Sequence, residues 1–258
     1  MAEEPKNSNL PLKLSVDVFS GCFSAVFLSP FITTVDKSII KNANGSEPLR
    51  TGLRNGFRDI FTRPWVYFKR REFYAIWFLY SATYSTANCV NSISIASDVD
   101  PKLPTFIATT AVNMPVCVIK DQYFTKWFGV VAAKKVPWPS MGLFAARDCL
   151  TVASSFTWVP ILSKKIHEST SFSQTASLNM AQLFLPMGVQ LVSTPMHLLG
   201  LDLYNHPHAS TNHRVVRIRQ EYWKSAFARQ LRIGFAFGVG GIGNRMVRDK
   251  STAFFALR

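Results

Sequence analysis

The sequence predicts an all-α membrane protein with six transmembrane helices, arranged as three two-helix repeats with pseudo-threefold symmetry. Three observations predict this fold class: six stretches of low charge, a proline near the end of every odd stretch, and basic residues concentrated in alternate connections. The composition agrees, since only 17% of the 258 residues are charged, against about 25% in soluble domains. The net charge of +14 indicates an anionic neighbour such as an acidic lipid surface, an anionic solute or nucleic acid.

The six stretches of low charge account for most of the chain. They cover residues 14–35, 73–96, 104–119, 142–162, 177–201 and 226–243. Most approach the roughly 20 residues that cross about 30 Å of hydrocarbon. All are interspersed with polar residues, and the first carries Asp17, whose charge would cost roughly 2.5–3.5 kcal/mol at mid-bilayer. We therefore expect these helices to shield one another, with their polar faces turned to a shared interior.

Basic residues concentrate in the first, third and fifth connections between these stretches. They are Lys37, Lys41, Arg50, Arg54, Arg58, Arg63, Lys69, Arg70, Arg71, Lys120, Lys126, Lys134, Lys135, Arg214, Arg217, Arg219 and Lys224. The second and fourth connections hold only Lys102, Lys164 and Lys165. In a six-span protein alternate connections lie on opposite sides, so this asymmetry is a positive-side bias. Both termini are then expected on the less positive side.

An internal repeat of roughly 80 residues organises the chain. The odd stretches each contain a proline expected to kink the helix, namely Pro30, Pro115 and Pro195. The even stretches each begin near an aromatic residue and reach an arginine, namely Arg71, Arg147 and Arg232. We divide the chain into a tail (1–13) and repeats 14–100, 101–173 and 174–258, which together form one membrane domain.

This pattern resembles the mitochondrial carrier family, which has three repeats of two membrane helices with a kinked odd helix. The segment from Trp223-Lys224-Ser225 to Arg232 is the part most similar to it. The resemblance implies a place in the mitochondrial inner membrane, with the outer membrane as the alternative. It also implies that the central substrate contacts are Arg71, Glu72, Arg147, Asp148 and Arg232.

The charges that close the gates in that family are missing here. The family has an acid two residues after each kink proline, where this chain has Ile32, Cys117 and His197. Of the bases five residues after the proline only Lys120 remains, and the sequence offers no acid for it at the expected positions. Three other acids, Asp36, Asp121 and Asp202, follow the prolines by six or seven residues. These acids are candidates for capping or local pairing, and the sequence gives no ground for assigning them to the gate. The even helices likewise lack acids near their ends.

Arginines facing one cavity at mid-depth would form an anion site, because guanidinium binds carboxylate or phosphate bidentately and keeps its charge. The alternative is that Arg71, Arg147 and Arg232 lock helices together through ion pairs, or extend to lipid head groups. Glu72 and Asp148 would moderate the positive field in either case.

A basic segment with interleaved aromatic residues is expected to lie on an anionic membrane surface, with cardiolipin as one candidate lipid. Its residues are Arg50, Arg54, Arg58, Lys69 and Arg70. The same residue types could bind nucleic acid, but no such motif is present, and we expect no nucleic-acid partner. The histidines of NHPHASTNH (206, 208 and 213) fit a polar loop better than a metal site. The glycines at 238, 240, 241 and 243 fit close helix packing better than a dinucleotide loop.

Two functions remain open. One is a divergent mitochondrial carrier-like protein that transports an anionic metabolite. The other is a non-transporting, carrier-derived scaffold, assembly factor or insertase bound to a mitochondrial membrane complex. A soluble basic α-protein is a third possibility. No pairing of nucleophile and base is present, so we expect neither an enzyme nor a cofactor or metal.

Overall fold

The protein is helical throughout the part that the computed structural model describes, which comprises residues 9–43, 46–128, 137–205 and 208–256. Helix accounts for about 91% of these residues, and they contain no strand. The prediction of an all-α protein is therefore confirmed.

Ten α-helices occur among the described residues. They are α1 (Leu10–Ala43), α2 (Leu49–Thr62), α3 (Pro64–Phe68), α4 (Arg71–Ala96), α5 (Lys102–Phe128), α6 (Trp138–Val152), α7 (Trp158–Ser169), α8 (Gln174–Asn205), α9 (Thr211–Ile233) and α10 (Gly240–Ala256). Two π-helical turns, Ala153–Thr157 and Gly234–Val239, join α6 to α7 and α9 to α10 without a break. The described residues thus form six long helical segments, with α2 and α3 between the first two.

The six long segments form a closed ring. Each packs against the next in chain order, from α1 through α4, α5, α6–α7 and α8 to α9–α10, and the last packs against α1. Local signals explain several boundaries. The Asp100 carboxylate accepts a hydrogen bond from the backbone N–H of Lys102 at the start of α5, at 3.1 Å. The Ser210 hydroxyl caps α9.

Three helices in the described part of the chain are long and apolar enough to cross a membrane. They include Leu10–Ile39, Lys102–Asp121 and Gln174–Gly200, which belong to the odd segments. The expected number from the sequence was six, and by this measure the even segments fall short. The reason is physical: π-helical turns divide two of them into shorter helices, and their polar and charged residues lower the mean hydropathy.

The protein buries charged side chains beside its apolar core and exposes many large apolar ones. Asp17, Asp36 and Lys120 are at most 7% exposed. Large apolar side chains point away from the ring, including a stripe of Phe19, Phe23 and Phe27 on α1 and the tryptophans Trp65, Trp138 and Trp223. A soluble protein has the opposite arrangement, whereas a helix bundle in lipid hides its charges in the interior.

Close packing at glycines draws the segments together. A Cβ atom on Gly21 of α1 would lie 2.7 Å from the backbone nitrogen of Ser85 in α4. Three of the four glycines at 238–243 also contact other segments closely, Gly238 and Gly241 against α8 and Gly240 against α1 and α4. The packing interpretation of these glycines is confirmed except at Gly243, where a Cβ would meet nothing within 4 Å.

The two π-helical turns are stabilised by one glutamine of α8. The Gln182 amide donates to the Phe237 carbonyl at 2.8 Å and to the Ser155 carbonyl at 3.4 Å. The Tyr84 hydroxyl donates to the neighbouring Ala236 carbonyl. A π-helical turn breaks the regular backbone ladder, so these side chains satisfy carbonyls that the turn leaves exposed to the interior.

The three repeat prolines lie inside helices, as the sequence suggested, but in different surroundings. Pro30 of α1 is buried, whereas Pro115 of α5 and Pro195 of α8 are exposed. The Tyr67 hydroxyl donates to the Pro30 carbonyl at 2.8 Å and bonds Thr34 Oγ1 at 2.9 Å. This contact fastens α3 to α1 beside its proline.

Candidate functional site

One end of the ring is closed by a buried ion-pair network. Asp36 of α1 accepts a hydrogen bond from Lys120 of α5 at 2.9 Å. The Nε atom of Arg232 in α9 lies 2.6 Å from the other oxygen of Asp36, off the hydrogen-bonding direction, so this contact is an ion pair. We call this three-residue group the closed end. Lys120 therefore has an acid partner in Asp36, although none stands at the positions where the carrier family has one.

Three further ion pairs join neighbouring segments at the same end. Lys37 of α1 pairs with Glu72 of α4 at 2.9 Å. Asp202 of α8 pairs with Arg214 and Arg217 of α9, at 2.6 and 3.4 Å. Asp36 and Asp202 therefore pair with cations of other segments, and Asp121 pairs with its neighbour Lys120.

A small interior cavity of about 20 Å³ lies between this end and the middle of the ring. We call it the inner cavity. It has room for about one water molecule. Its charged lining consists of Arg147, Asp148, Arg229 and Arg232, and its other lining residues include Asn113 and Cys117.

Arg147 and Asp148 form a buried pair at the start of the second even segment. The Asp148 Oδ1 atom accepts from Arg147 Nε at 2.9 Å and lies 2.8 Å from Arg147 Nη2. Arg147 Nη1 donates to His197 Nδ1 of α8 at 2.8 Å. Because guanidinium can only donate, His197 accepts on Nδ1 and is neutral in this contact. The pair is therefore fixed in position by α8.

Arg229 differs from the other cavity arginines because its hydrogen-bond partners are neutral. Its Nη2 atom donates to Gln190 Oε1 at 2.7 Å and to Ser193 Oγ at 3.1 Å, both on α8. Arg229 is 6% exposed. A buried guanidinium held only by neutral groups leaves its charge uncompensated. Among the described residues, the charged lining of the inner cavity consists of Arg147, Arg229 and Arg232 against Asp148, so it carries two more positive than negative charges.

A larger cavity of about 200 Å³ lies at the opposite end of the ring. We call it the outer cavity. Its polar lining includes Lys102, Gln182, Asn244, Arg245 and Arg248. It extends to Pro101 in the connection between α4 and α5, so it opens toward the side that carries few basic residues.

A second ion network lies beside the outer cavity. Asp17 of α1, which is fully buried, accepts from Arg248 Nε of α10 and from Ser92 Oγ of α4, both at 2.5 Å. Asn88 and Asn244 exchange two amide hydrogen bonds at 3.0 and 2.9 Å. These groups, which we call the open-end network, join only α1 and the two segments on either side of it.

An aromatic cluster separates the two cavities. Phe237, in the π-helical turn, lines both of them. Its ring centroid lies 5.8 Å from Tyr80, 6.3 Å from Tyr84 and 5.7 Å from Phe156. A side chain that stands between two cavities is the group that has to move if they are to join.

The structure brings together three of the five predicted substrate contacts. Arg147, Asp148 and Arg232 line the inner cavity. Arg71 is exposed, with its guanidinium 4.6 Å from the centre of the Trp127 ring. Glu72 is bound to Lys37. Neither of these two residues lines the inner cavity, and Arg229 is the third arginine there instead.

The predicted lipid-facing residues divide into two groups. Arg50, Arg54 and Arg58 lie exposed along α2, and Lys69 is exposed after α3. Arg70 pairs with Asp59 at 2.7 Å and stacks on the Tyr67 ring, so it serves the packing of α2 and α3. Of the three loop histidines, His208 and His213 are exposed. His206 lies outside the described residues.

Sequence reasoning missed Arg229, Asp36 and the acid–base pair of Asp17 and Arg248. One signal was present for Arg229, which precedes Arg232 by three residues and therefore shares its helix face. Another was the recurrence of Asp36, Asp121 and Asp202 at nearly the same distance after each proline. No local signal connects Asp17 with Arg248, which are 231 positions apart.

Comparison with known proteins identifies a family. A family model described as "Probable citrulline exporter" matches residues 20–252. No curated protein and no solved structure matches the chain. No mitochondrial carrier model matches, so the resemblance to that family is wrong. Its apparent signs, kink prolines and alternating basic connections, are properties that a helical ring in a membrane can have without that ancestry.

Proposed function

The chain belongs to the probable citrulline exporter family, and we propose that it is a membrane transporter that moves citrulline through the centre of its helical ring. Citrulline is a zwitterion with a neutral ureido side chain, so it needs a polar path but carries no net charge. The observation that carries the proposal is the inner cavity, which holds charged groups of both signs midway through the ring.

In this proposal all six long segments cross the membrane. The three that are apolar enough to be recognised as spans from their hydropathy are the odd segments. The closed ring and the outward-facing apolar residues support this. Asp17 and Asp36 are nineteen residues apart on α1, about 28 Å at 1.5 Å per residue. The two ion networks would therefore lie near the two faces of a hydrocarbon layer about 30 Å thick. The three segment pairs would be related by a pseudo-threefold axis.

Cysteine labelling tests the six spans. In a variant without native cysteines, single cysteines at the exposed positions Ser46 and Ser210 should react with an impermeant maleimide from one side of a vesicle. Cysteines at Ser97 and Ser173, which are also exposed, should react only from the other side. Labelling of all four positions from the same side would exclude this topology.

The transport mechanism in this proposal is alternating access. One end of the ring is closed by Asp36 with its two cationic partners, while the outer cavity opens at the other end. Transport requires a second conformation of similar free energy, in which the closed end opens and the open end closes. The network at Asp36 supplies interactions that one conformation makes and the other breaks. The scaffold alternative rested on the absence of such charges, so these ion pairs favour transport over it.

Uptake into proteoliposomes tests the function. We expect saturable exchange of labelled citrulline by the full chain, and a loss of at least about tenfold in Arg147→Ala, because that substitution leaves Asp148 buried without its charged partner. The matched control is Arg219→Ala, since Arg219 is exposed on α9 and should exchange normally. Exchange of dicarboxylates but not of citrulline would instead support the hypothesis that the protein transports an anionic metabolite. Absence of any uptake, with stable co-purification of a membrane complex, would support the scaffold.

The membrane and the lipid partner are further parts of the proposal. The exposed arginines of α2, together with Phe61 at 74% and Trp65 at 81% exposure, suit a helix that lies in the head-group region of an anionic bilayer. Cardiolipin stays one candidate. A mitochondrial inner or outer location and a mitochondrial partner complex also stay predictions, and the resemblance that suggested them no longer supports them.

A further inference from the structure

Three charged residues of the inner cavity each have a buried polar atom without a hydrogen-bond partner, and one of these atoms, Arg232 Nε, is ion-paired with Asp36, which leaves two. These two atoms are Asp148 Oδ2 and Arg229 Nε. Their residues are 8% and 6% exposed. Leaving a buried charged group unsatisfied is costly, and most such groups in proteins have a partner. Since both residues line the same cavity, a ligand in that cavity could satisfy both.

The rest of each side chain is held in place, so these two atoms have fixed positions. Asp148 Oδ1 is occupied by Arg147, which is in turn bound to His197. Arg229 Nη2 is occupied by Gln190 and Ser193. The partners on α8 hold the free acceptor and the free donor before any ligand arrives, which reduces the entropy cost of binding.

The two free atoms have complementary requirements. An ionised carboxylate only accepts hydrogen bonds, and a guanidinium only donates them. We propose that the inner cavity binds the head group of an α-amino acid, with its ammonium on Asp148 Oδ2 and its carboxylate on Arg229 Nε. This inference rests on the proposed function and specifies which end of citrulline the site recognises.

The surrounding charges select among amino acids. Lys120 and Arg232 lie on the closed-end side of the head-group site, and Arg232 lines the inner cavity itself. The side chain of the solute extends the other way, toward the outer cavity, whose charged lining residues are Lys102, Arg245 and Arg248. A cationic side chain such as that of ornithine would be repelled there, while the neutral ureido group of citrulline would not. A dicarboxylate would place its second carboxylate against Asp148 and lose the bond that an ammonium makes. Neutral amino acids are therefore the preferred class.

Binding requires the inner cavity to widen, because about 20 Å³ holds only about one water molecule. The outer cavity shares the wall formed by Phe237. Movement of that ring would join the two spaces, so that the side chain of the solute could lie among the amides of the outer cavity while its head group reaches Asp148 and Arg229.

Competition against labelled citrulline in proteoliposomes of the full chain tests the inference. For the unmodified protein we expect citrulline to compete at least about tenfold better than its methyl ester, which lacks the carboxylate charge, and than N-acetylcitrulline, which lacks the ammonium. Ornithine and malate should also compete poorly. Equal competition by the ester and the acid would overturn the inference while leaving citrulline transport intact.

Two variants assign each end of the head group. In Arg229→Gln the advantage of citrulline over its ester should fall to about twofold or less, while its advantage over N-acetylcitrulline persists. In Asp148→Asn the advantage of citrulline over N-acetylcitrulline should fall to about twofold or less, while its advantage over the ester persists. Arg229→Lys, which keeps the charge, should restore part of the discrimination against the ester, and Arg219→Gln should leave both ratios unchanged. If either variant lost both ratios together, or neither, the assignment would be wrong.

The outcomes separate this inference from the proposed function. Exchange of a solute other than citrulline would contradict the function itself. If a variant fails to exchange at all, binding of labelled citrulline in detergent, measured with the same analogues, gives the same two ratios. Exchange of citrulline with unchanged ratios in both variants would leave the function standing and overturn the head-group site.

Discussion

The two ends of the ring both contain buried acid–base networks, but they connect different sets of helices. At the closed end one carboxylate, Asp36, holds cations from α5 and α9, and α5 is not the neighbour of α1 in the ring. At the open end Asp17 and its partners join α1 only to the adjacent segments α4 and α10. The first arrangement crosses the interior and the second lies along its wall. Buried ion pairs therefore block a passage only where they span it.

The largest effect is expected for Asp36→Asn. The substitution leaves Lys120 and Arg232 without their shared carboxylate, which should destabilise the closed conformation by about 3–5 kcal/mol. Cys117, buried in the inner cavity wall, should then react with an impermeant maleimide at least about tenfold faster in a variant whose other cysteines are serine.

The matched control for this experiment is Asp59→Asn, which removes a half-exposed ion pair with Arg70 and should leave Cys117 labelling unchanged. Asp36→Glu keeps the charge and should label slowly, which separates the loss of the carboxylate from a general folding defect. Equal labelling of Cys117 in Asp36→Asn and in the unmodified protein would show that Asp36 does not close the ring.

The next largest effect is expected for Arg248→Gln at the open end. Asp17 is fully buried and would lose its cationic partner, so the free energy of unfolding in detergent should fall by about 3 kcal/mol. Cys117 labelling should stay slow, because this network lies along the wall. Rapid labelling would show that both networks close the passage and would remove the contrast between the ends.

A smaller effect is expected where α1 and α4 pack along the same wall. Gly21→Val should lower the free energy of unfolding by about 2 kcal/mol, since even a Cβ would lie 2.7 Å from the Ser85 backbone nitrogen. Gly243→Ala is the control, because a Cβ there has open space and alanine favours a helix by about 1 kcal/mol over glycine. Equal thermal stability of the two variants would contradict the close approach.

The smallest effect is expected for Tyr67→Phe, which removes the hydroxyl bound to Pro30 and Thr34. We expect a loss of about 1 kcal/mol in unfolding free energy. Burial raises the pKa of Tyr67 to about 12, above the ordinary value near 10. The stabilisation of the folded protein by the Tyr67 hydroxyl is therefore complete below about pH 10 and is lost as the pH rises through about 12. The difference between the two proteins should be constant from pH 6 to pH 9, and a change within that range would exclude this assignment.

The sequence was informative about helices and poor at pairing charges across the ring. Low-charge stretches located the odd helices because apolar length is a local property. The even segments were harder to place, since their interior faces carry groups such as Arg147, Asp148 and Asn244 that lower mean hydropathy. The amphipathic α2 followed from the spacing of its exposed arginines.

The candidate site was only partly predictable for the same reason. Arg147, Asp148 and Arg232, which the sequence grouped together, line one cavity. The partner of Lys120 is 84 positions away, and pattern alone does not specify which residues meet across a ring. Arg71 was grouped with the others by its place in the repeat, but the structure turns it toward Trp127.

The π-helical turn at Gly234–Val239 also determines which way the last helix faces. An α-helix advances about 100° per residue, so Arg232 and Arg248, sixteen residues apart, would point about 160° away from each other in a regular helix. The turn accommodates one additional residue and reduces that angle to about 60°. The π-helical turn thus lets the continuous helix of α9 and α10 direct Arg232 to Asp36 and Arg248 to Asp17. Converting the turn to regular α-helix without removing a residue would rotate Arg248 by about 100° away from Asp17, with no change in the composition of the interior.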